Sequence, residues 1–490
     1  MSSNVLNSMS HPNSAEGLHE SLGSGRLVSV FATKDGDRGL SIHYIVDTGA
    51  PGYRCFEFAA DRPVPSITAL TPAAAWYERE VHDQYGIEML GHPDLRPLLL
   101  HENWPVNVHP MVDDVSSVPL SSGSYPFLEV HGDGVCEVAV GPVHAGIIEP
   151  GHFRFSVMGD RVIRLELRHF YTHKGTEKLF EQCPVARATL IAESVSGDNC
   201  FAHAVAYCQA VENAFGLEVS RRAASIRLIG LELERLLAHV ADVGALCGDV
   251  GFTVAAAYAS RVKEDLLRVS TATVGTRYWR GIATPGGVKR DFSSTAASSL
   301  AGAVERAARD FAGLARTALD TASVQNRFEG AGVLQSKVAR DLAVVGPVAR
   351  ASGIDLEVRR DHPYGAYTEH TIDVPVFHYG DVLARARVRV EEAAVSAQLI
   401  INATANLPPG PICTPADWGR DAQGFSAVES PRGELLYWVS CRRGQLARCY
   451  IKSPSFQNWP ALPFAVADNI IADFPLINKS FNLSYSGCDR

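Results

Sequence analysis

"SIRLIGLELERLLAHVADVGAL" (residues 225–246) sets the architecture. Ile226, Ile229, Leu233, Leu236, Val240 and Val243 recur at three- and four-residue steps, the spacing of one buried helix face. Residues 253–275, 293–322 and 379–405 read likewise, so several long helices pack together. Strand-like runs flank them: "CEVAVGPVHAGIIEPGHFRFSVMGDRVIRLELRHFY" (136–171) and the hairpin "ELLYWVSCRRGQLARCYIKS" (434–453). Residues 131–490 are therefore expected to form a helix bundle with β hairpins attached. Upstream, "RLVSVFATKDGDRGLSIHYIVDT" (26–48) reads as two strands around a Lys-Asp-Gly-Asp turn, within a small α+β domain spanning 25–110. Residues 111–130, rich in Ser, Pro and Gly, read as a linker, and 1–24 as a disordered lead-in without a signal-peptide pattern. The fold class is α+β.

Composition narrows the function. The 490 residues are 46% hydrophobic and 20% charged, as in an ordinary globular protein. A net charge of −9 and the lack of a basic stripe exclude a nucleic-acid partner. No apolar run reaches the roughly 18 residues of a membrane span. "LGSGRL" (22–27) precedes a strand, whereas a dinucleotide loop follows one, so no NAD site is expected in this chain. The ten cysteines include no Cys-x-x-Cys pair, and they read as reduced thiols, mostly buried.

"YEREVHDQYGIEMLGHPDLRPLLLHENW" (77–104) carries Glu78, Arg79, Glu80 and Asp83, and reads by itself as a charged helix followed by an exposed loop. The stretch resembles the signature of the small hydrophilic subunit of respiratory complex I, which recurs at the N-terminus of formate-hydrogenlyase-type hydrogenase large subunits. Five further motifs stand in that family's order: "GPVHAGIIEPGHFRF" (141–155), "YTHKGTEKL" (171–179), "TPGGVKRDF" (284–292), "ESPRGELLYW" (429–438) and "KSPSFQNWPALPF" (452–464). They resemble the large hydrogenase-like subunit of the same complexes. The resemblance implies a fused two-domain subunit of a membrane-bound [NiFe]-hydrogenase or complex I relative.

Two loops depart from the family. Hydrogenases of this kind write Cys-Gly-Ile-Cys-Gly-Phe-Ala-His where this chain has Ser196-Gly197-Asp198-Asn199-Cys200-Phe201-Ala202-His203. Near the C-terminus, Ser484 and Gly487 stand at the positions of the second cysteine pair. A nickel–iron centre needs soft anionic thiolates, which Ser, Asn and Gly cannot supply. Cys200 and Cys488 are each one residue out of register, about 100° around a helix. No metal is therefore expected in this chain. The quinone-reducing relatives hold the headgroup with two His and a Tyr. Here the first is retained as His144, while Pro150 and Val185 occupy the other positions. His144 is thus a remnant of a quinone site.

Glu149, His203, Arg432 and Glu434 remain as candidate coupling residues, with a buried structural Arg–Glu pair as the plainer reading of the last two. The resemblance implies a peripheral subunit on the cytoplasmic face of a membrane complex. Its partners would be an iron–sulfur small subunit, which carries the clusters, and antiporter-like membrane subunits. Two other roles stay open: an active hydrogenase or quinone reductase with a rearranged site, and a non-redox assembly scaffold.

Overall fold

Three antiparallel strands, Arg26–Lys34, Leu40–Asp47 and Tyr53–Ala59, pair in sequence order to form the first sheet. The computed structural model describes residues 15–34, 39–49, 52–145 and 148–490. The expected turn after Lys34 falls on 35–38, outside the described residues. Residues 15–24, expected within a disordered lead-in, instead form the helix Ala15–Ser24. Its Leu18 is buried and Leu22 packs beside it against the sheet, so an apolar edge four residues apart anchors the segment.

The helix Ala75–Tyr85 corrects the expected charged surface: Glu78, Arg79, Glu80 and Asp83 are all buried. Irregular loops around it offer backbone groups that no sheet ladder satisfies. Glu78 accepts the amide of Ile67 at 2.8 Å, and Asp83 accepts those of Leu98 and Leu99 at 2.8 Å each. Arg79 donates to the carbonyl of Arg96 at 2.8 Å. Residues 111–130 carry neither helix nor strand. The segment is pinned all the same: Arg96 donates to the Pro126 carbonyl at 2.7 Å, and the Leu128 amide donates to Glu166 at 2.9 Å.

A second antiparallel sheet, Val135–Val140, His152–Met158 and Arg161–Arg168, leads into the helices. The 29-residue helix Arg221–Asp249 starts at Ser220, whose hydroxyl accepts the Ala223 amide. Its Ile226, Ile229, Leu233, Leu236, Val240 and Val243 are buried as the periodicity requires. Helices Thr253–Val274, Ser294–Leu319 and Val382–Ala405 complete the bundle, close to the bounds read from sequence. A third sheet, Ala422–Ser430, Gly433–Arg442 and Gln445–Lys452, lies against the helix Cys200–Phe215. The N-terminal sheet is stitched to this region by Arg26–Glu434 (2.8 Å) and Ser29–Tyr450 (2.7 Å), and the helix Ala75–Tyr85 is tied to the C-terminal residue by Glu80–Arg490 (2.6 Å). Among the described residues, no helix is long and apolar enough to cross a membrane.

Candidate functional site

The two departing loops meet. Ser196 and Ser484, 288 positions apart, place their hydroxyl oxygens 2.9 Å from each other. The helix Tyr485–Asp489 explains the second loop: Ser484 caps it by accepting the Gly487 amide at 2.9 Å. A Cβ at Gly487 would lie 3.0 Å from the Ser484 hydroxyl and 3.3 Å from that of Ser196. Position 487 therefore aims at the same point as the serines. Asn199 is buried at the start of the helix Cys200–Phe215, and its side-chain oxygen has no partner among the described residues.

Charged groups surround this neutral pair. Ser196 donates to Asp198, and Asp198 accepts from Arg432 at 3.1 Å. Arg432 also donates to Asp242 at 2.5 Å, while Arg389 reaches Asp242 at 3.0 Å and Asn482 donates to it as well. Burial opposes the Asp242 charge, but the two guanidiniums hold its carboxyl below the usual range. Glu149 accepts the Ser486 amide at 2.9 Å, and Lys174 donates to the carbonyls of Ser194 (3.1 Å) and Val195 (2.9 Å). The structure thus brings Ser196, Ser484, Gly487, Glu149 and Arg432 together.

It does not bring in the other two candidates. His203 is fully buried one turn into its helix, where its Nδ1 pairs with the Tyr437 hydroxyl at 2.8 Å. Burial lowers its pKa to about 3, so the ring is neutral. Glu434 faces the N-terminal sheet instead. It accepts from Arg26 at 2.8 Å, Tyr53 at 2.8 Å and Lys452 at 2.8 Å. The structural ion-pair reading therefore describes Glu434, whereas Arg432 belongs to the centre.

The donors present do not fit a four-thiolate metal centre. Cys200 turns its sulfur to the Tyr278 carbonyl at 3.4 Å, and burial pushes its thiol up to about 12. Burial also raises the Cys488 thiol well above its ordinary value. Among the described residues, no group of three or more His, Cys, Asp or Glu is arranged to hold a metal ion. At the quinone positions, His144 is tied to the Gly151 carbonyl at 2.8 Å. Val185 is wholly buried, with its own carbonyl accepting from the Tyr207 hydroxyl at 2.8 Å.

Sequence reading missed a cavity of about 160 Å³ beside the centre, lined by Asp198, Glu234, Asp242, Lys263, Trp279 and Arg432 among others. Glu234 accepts the amides of Phe201 (2.7 Å) and Ala202 (2.9 Å), the first turn of the 200–215 helix. Burial raises its pKa to about 8. Asp242 could have been found: Glu232, Arg235, His239 and Asp242 recur at three- and four-residue steps, a polar stripe on a helix read only for its apolar face. Asp198 lay within the departing loop itself.

An α+β scaffold whose two chain-distant loops converge beside an arginine defines the class of the large hydrophilic subunits of membrane oxidoreductase complexes. Residues 249–419 and 418–490 match the family described as the 49 Kd subunit of respiratory-chain NADH dehydrogenase, and residues 13–119 match its 30 Kd subunit. The chain belongs to this family, with both subunit types fused in one polypeptide. It is 34% identical to formate hydrogenlyase subunit 5 of Escherichia coli K12 over 487 residues, covering 95% of this chain and 85% of the relative. It is 35% identical to hydrogenase-4 component G of the same organism over 441 residues, covering 88% and 77%. A solved structure of an archaeal respiratory membrane complex, the membrane-bound sulfane sulfur reductase, contains a similar chain. That chain is 26% identical with a TM-score of 0.69, and the match covers 73% of this chain and 99% of the other.

Proposed function

We propose that this chain is a peripheral subunit of a membrane-associated oxidoreductase complex of the formate hydrogenlyase or NADH:quinone oxidoreductase type. In it, the ancestral nickel position is a hydrogen-bonded serine cluster. The observation that carries the reading is the 2.9 Å contact between Ser196 and Ser484, which sits where the family's two cysteine pairs would meet. The chain binds no nickel and reduces no quinone at this point. Its role is coupling or structural: Asp198, Arg432 and Asp242 keep a charged bed beneath the cluster. Its partners are an iron–sulfur small subunit and antiporter-like membrane subunits, and it sits on the cytoplasmic face. Relatives spanning 95% and 88% of the chain bear complex-subunit names, which supports membership.

The test is isolation of the tagged full chain from detergent-solubilised native membranes. The reading expects co-elution with a subunit bearing iron–sulfur clusters and with polytopic membrane subunits. Recovery of the chain as a well-behaved monomer, free of both, would contradict it.

A further inference from the structure

Behind the centre, the helices Arg221–Asp249 and Val382–Ala405 face each other through ionised side chains. Arg359 donates to Glu232 at 2.9 Å and to Glu357 at 2.9 Å. Arg350 donates to Glu392 at 2.7 Å and to Glu429 at 3.1 Å, and also pairs with Glu357 at 3.3 Å. Arg235 lies 3.6 Å from Glu232 and 3.8 Å from Glu392. Tyr367 and Ser396 donate to Glu232, and His239 meets Glu392 at 2.8 Å. All of these groups are buried.

The charges do not balance. Four carboxylates, those of Glu232, Glu357, Glu392 and Glu429, face three guanidiniums, those of Arg235, Arg350 and Arg359. His239 does not make up the difference: its Nε2 meets Glu392 at 2.8 Å, but its buried Nδ1 has no partner among the described residues, so an imidazolium would leave a donor unsatisfied, and burial disfavours its charge as well. Neighbouring charged groups pair mainly among themselves. Asp198 and Asp242 face Arg389 and Arg432, while Glu434, across the strand pair from Glu429, shares Arg26 and Lys452 with Asp47. Tyr364 approaches Glu429 only as the acceptor of its backbone amide. His362 binds Asp47 at 3.0 Å, within that second set. An uncompensated charge in a dry interior is expensive, so such a site takes up a proton instead.

We propose that this knot is a one-proton store, with the carboxyl of Glu429 as its seat. Loading converts the Glu429 carboxylate to a carboxylic acid with a proton drawn from water, and unloading returns it; no electron is involved. Glu429 is the member least well held. One oxygen has Arg350, and among the described residues the other has only the Val358 amide at 3.3 Å. Burial, then repulsion from Glu357, raises its pKa to about 7, in agreement with the count. The store bears on the centre by two routes. Arg235 holds the carbonyls of Glu429 (2.6 Å) and Ser430 (3.1 Å), just ahead of Arg432. His239 lies one helical turn from Asp242, which holds Arg432. The inference deepens the coupling role proposed above, and its test needs neither turnover nor partners.

Difference infrared spectra of the full-length chain, alone or in its complex, read carboxylic acids directly. Acidification through the neutral range should raise a protonated-carboxyl band in the wild type. Glu429→Gln, which mimics the loaded state in shape and charge, should remove one component of that absorption and leave the components of Glu234 and Glu80, which burial also raises into this range. His362→Asn should leave the whole absorption, because an imidazole gives no such band. Glu357→Gln removes the repelling charge and should shift the titration down by about one to three pH units. An acid-induced absorption that is the same in Glu429→Gln as in the wild type, that loses a component in His362→Asn, that is unmoved in Glu357→Gln, or that never appears in the wild type would overturn the proposal.

Discussion

Arg432 and Glu434 stand two residues apart in "ESPRGELLYW", yet they serve different regions of the molecule. Arg432 occupies the tip of the hairpin between the strands Ala422–Ser430 and Gly433–Arg442, and reaches Asp198 and Asp242 under the serine pair. Glu434 lies within the second strand, and its side chain meets Arg26, Tyr53 and Lys452 at the seam with the N-terminal sheet. The seam is a sealed ion cluster whose members have few alternatives. The centre is shared among many partners and opens on a cavity. The difference teaches that proximity in a motif does not imply a common site, because a hairpin tip and the strand behind it point to different places.

The comparison breaks most readily at the seam. Glu434→Ala leaves Lys452 fully buried without its carboxylate, and half-buried Arg26 with Asp47 alone. The expected loss is about 3–5 kcal/mol of unfolding free energy, measured by chemical denaturation. A loss below about 1 kcal/mol would mean that the seam is not sealed. Arg432→Leu should cost less, on the order of 1–3 kcal/mol, because Asp242 keeps Arg389 and Asn482. If the two variants were equally damaging, the distinction between the regions would fail.

Glu234 sharpens the same contrast through pH. Its folded pKa of about 8 lies above the roughly 4.3 of an unfolded glutamate, so folding takes up a proton in between. Its contribution to stability is present below the unfolded value and is lost as pH rises through about 8. Thermal midpoints across this window should therefore fall more steeply in the wild type than in Glu234→Ala, and parallel slopes would refute the assignment. The smallest effect is expected at the centre. Ser484→Ala removes the hydroxyl that accepts the Gly487 amide and should cost about 1 kcal/mol.

Much of the fold was legible because apolar periodicity survives in single residues: every inward position named on the 225–246 stretch is buried. The meeting of residues 196 and 484 was legible only through the family's paired cysteines, since no local spacing links loops 288 positions apart. The buried charges of the 75–85 helix were not legible. Glu78 and Asp83 read as a solvated face until the loops that need their oxygens are in view. The short helix at residues 15–24 escaped for a similar reason, since its order comes from the sheet beneath Leu18. Glu234 and the knot around Glu429 depend on burial, which one chain's pattern of charged residues does not reveal.

The central claim of the proposal is that Ser196 and Ser484 share a hydrogen bond where the family resemblance would place metal-binding thiolates. Elemental analysis of the complex, purified from native membranes with this chain quantified, tests it most directly. The account predicts no stoichiometric nickel in this chain and no infrared bands from iron-bound cyanide or carbonyl. About one nickel per chain, together with those bands, would contradict it, because a four-thiolate site would then have been replaced by ligands of another kind.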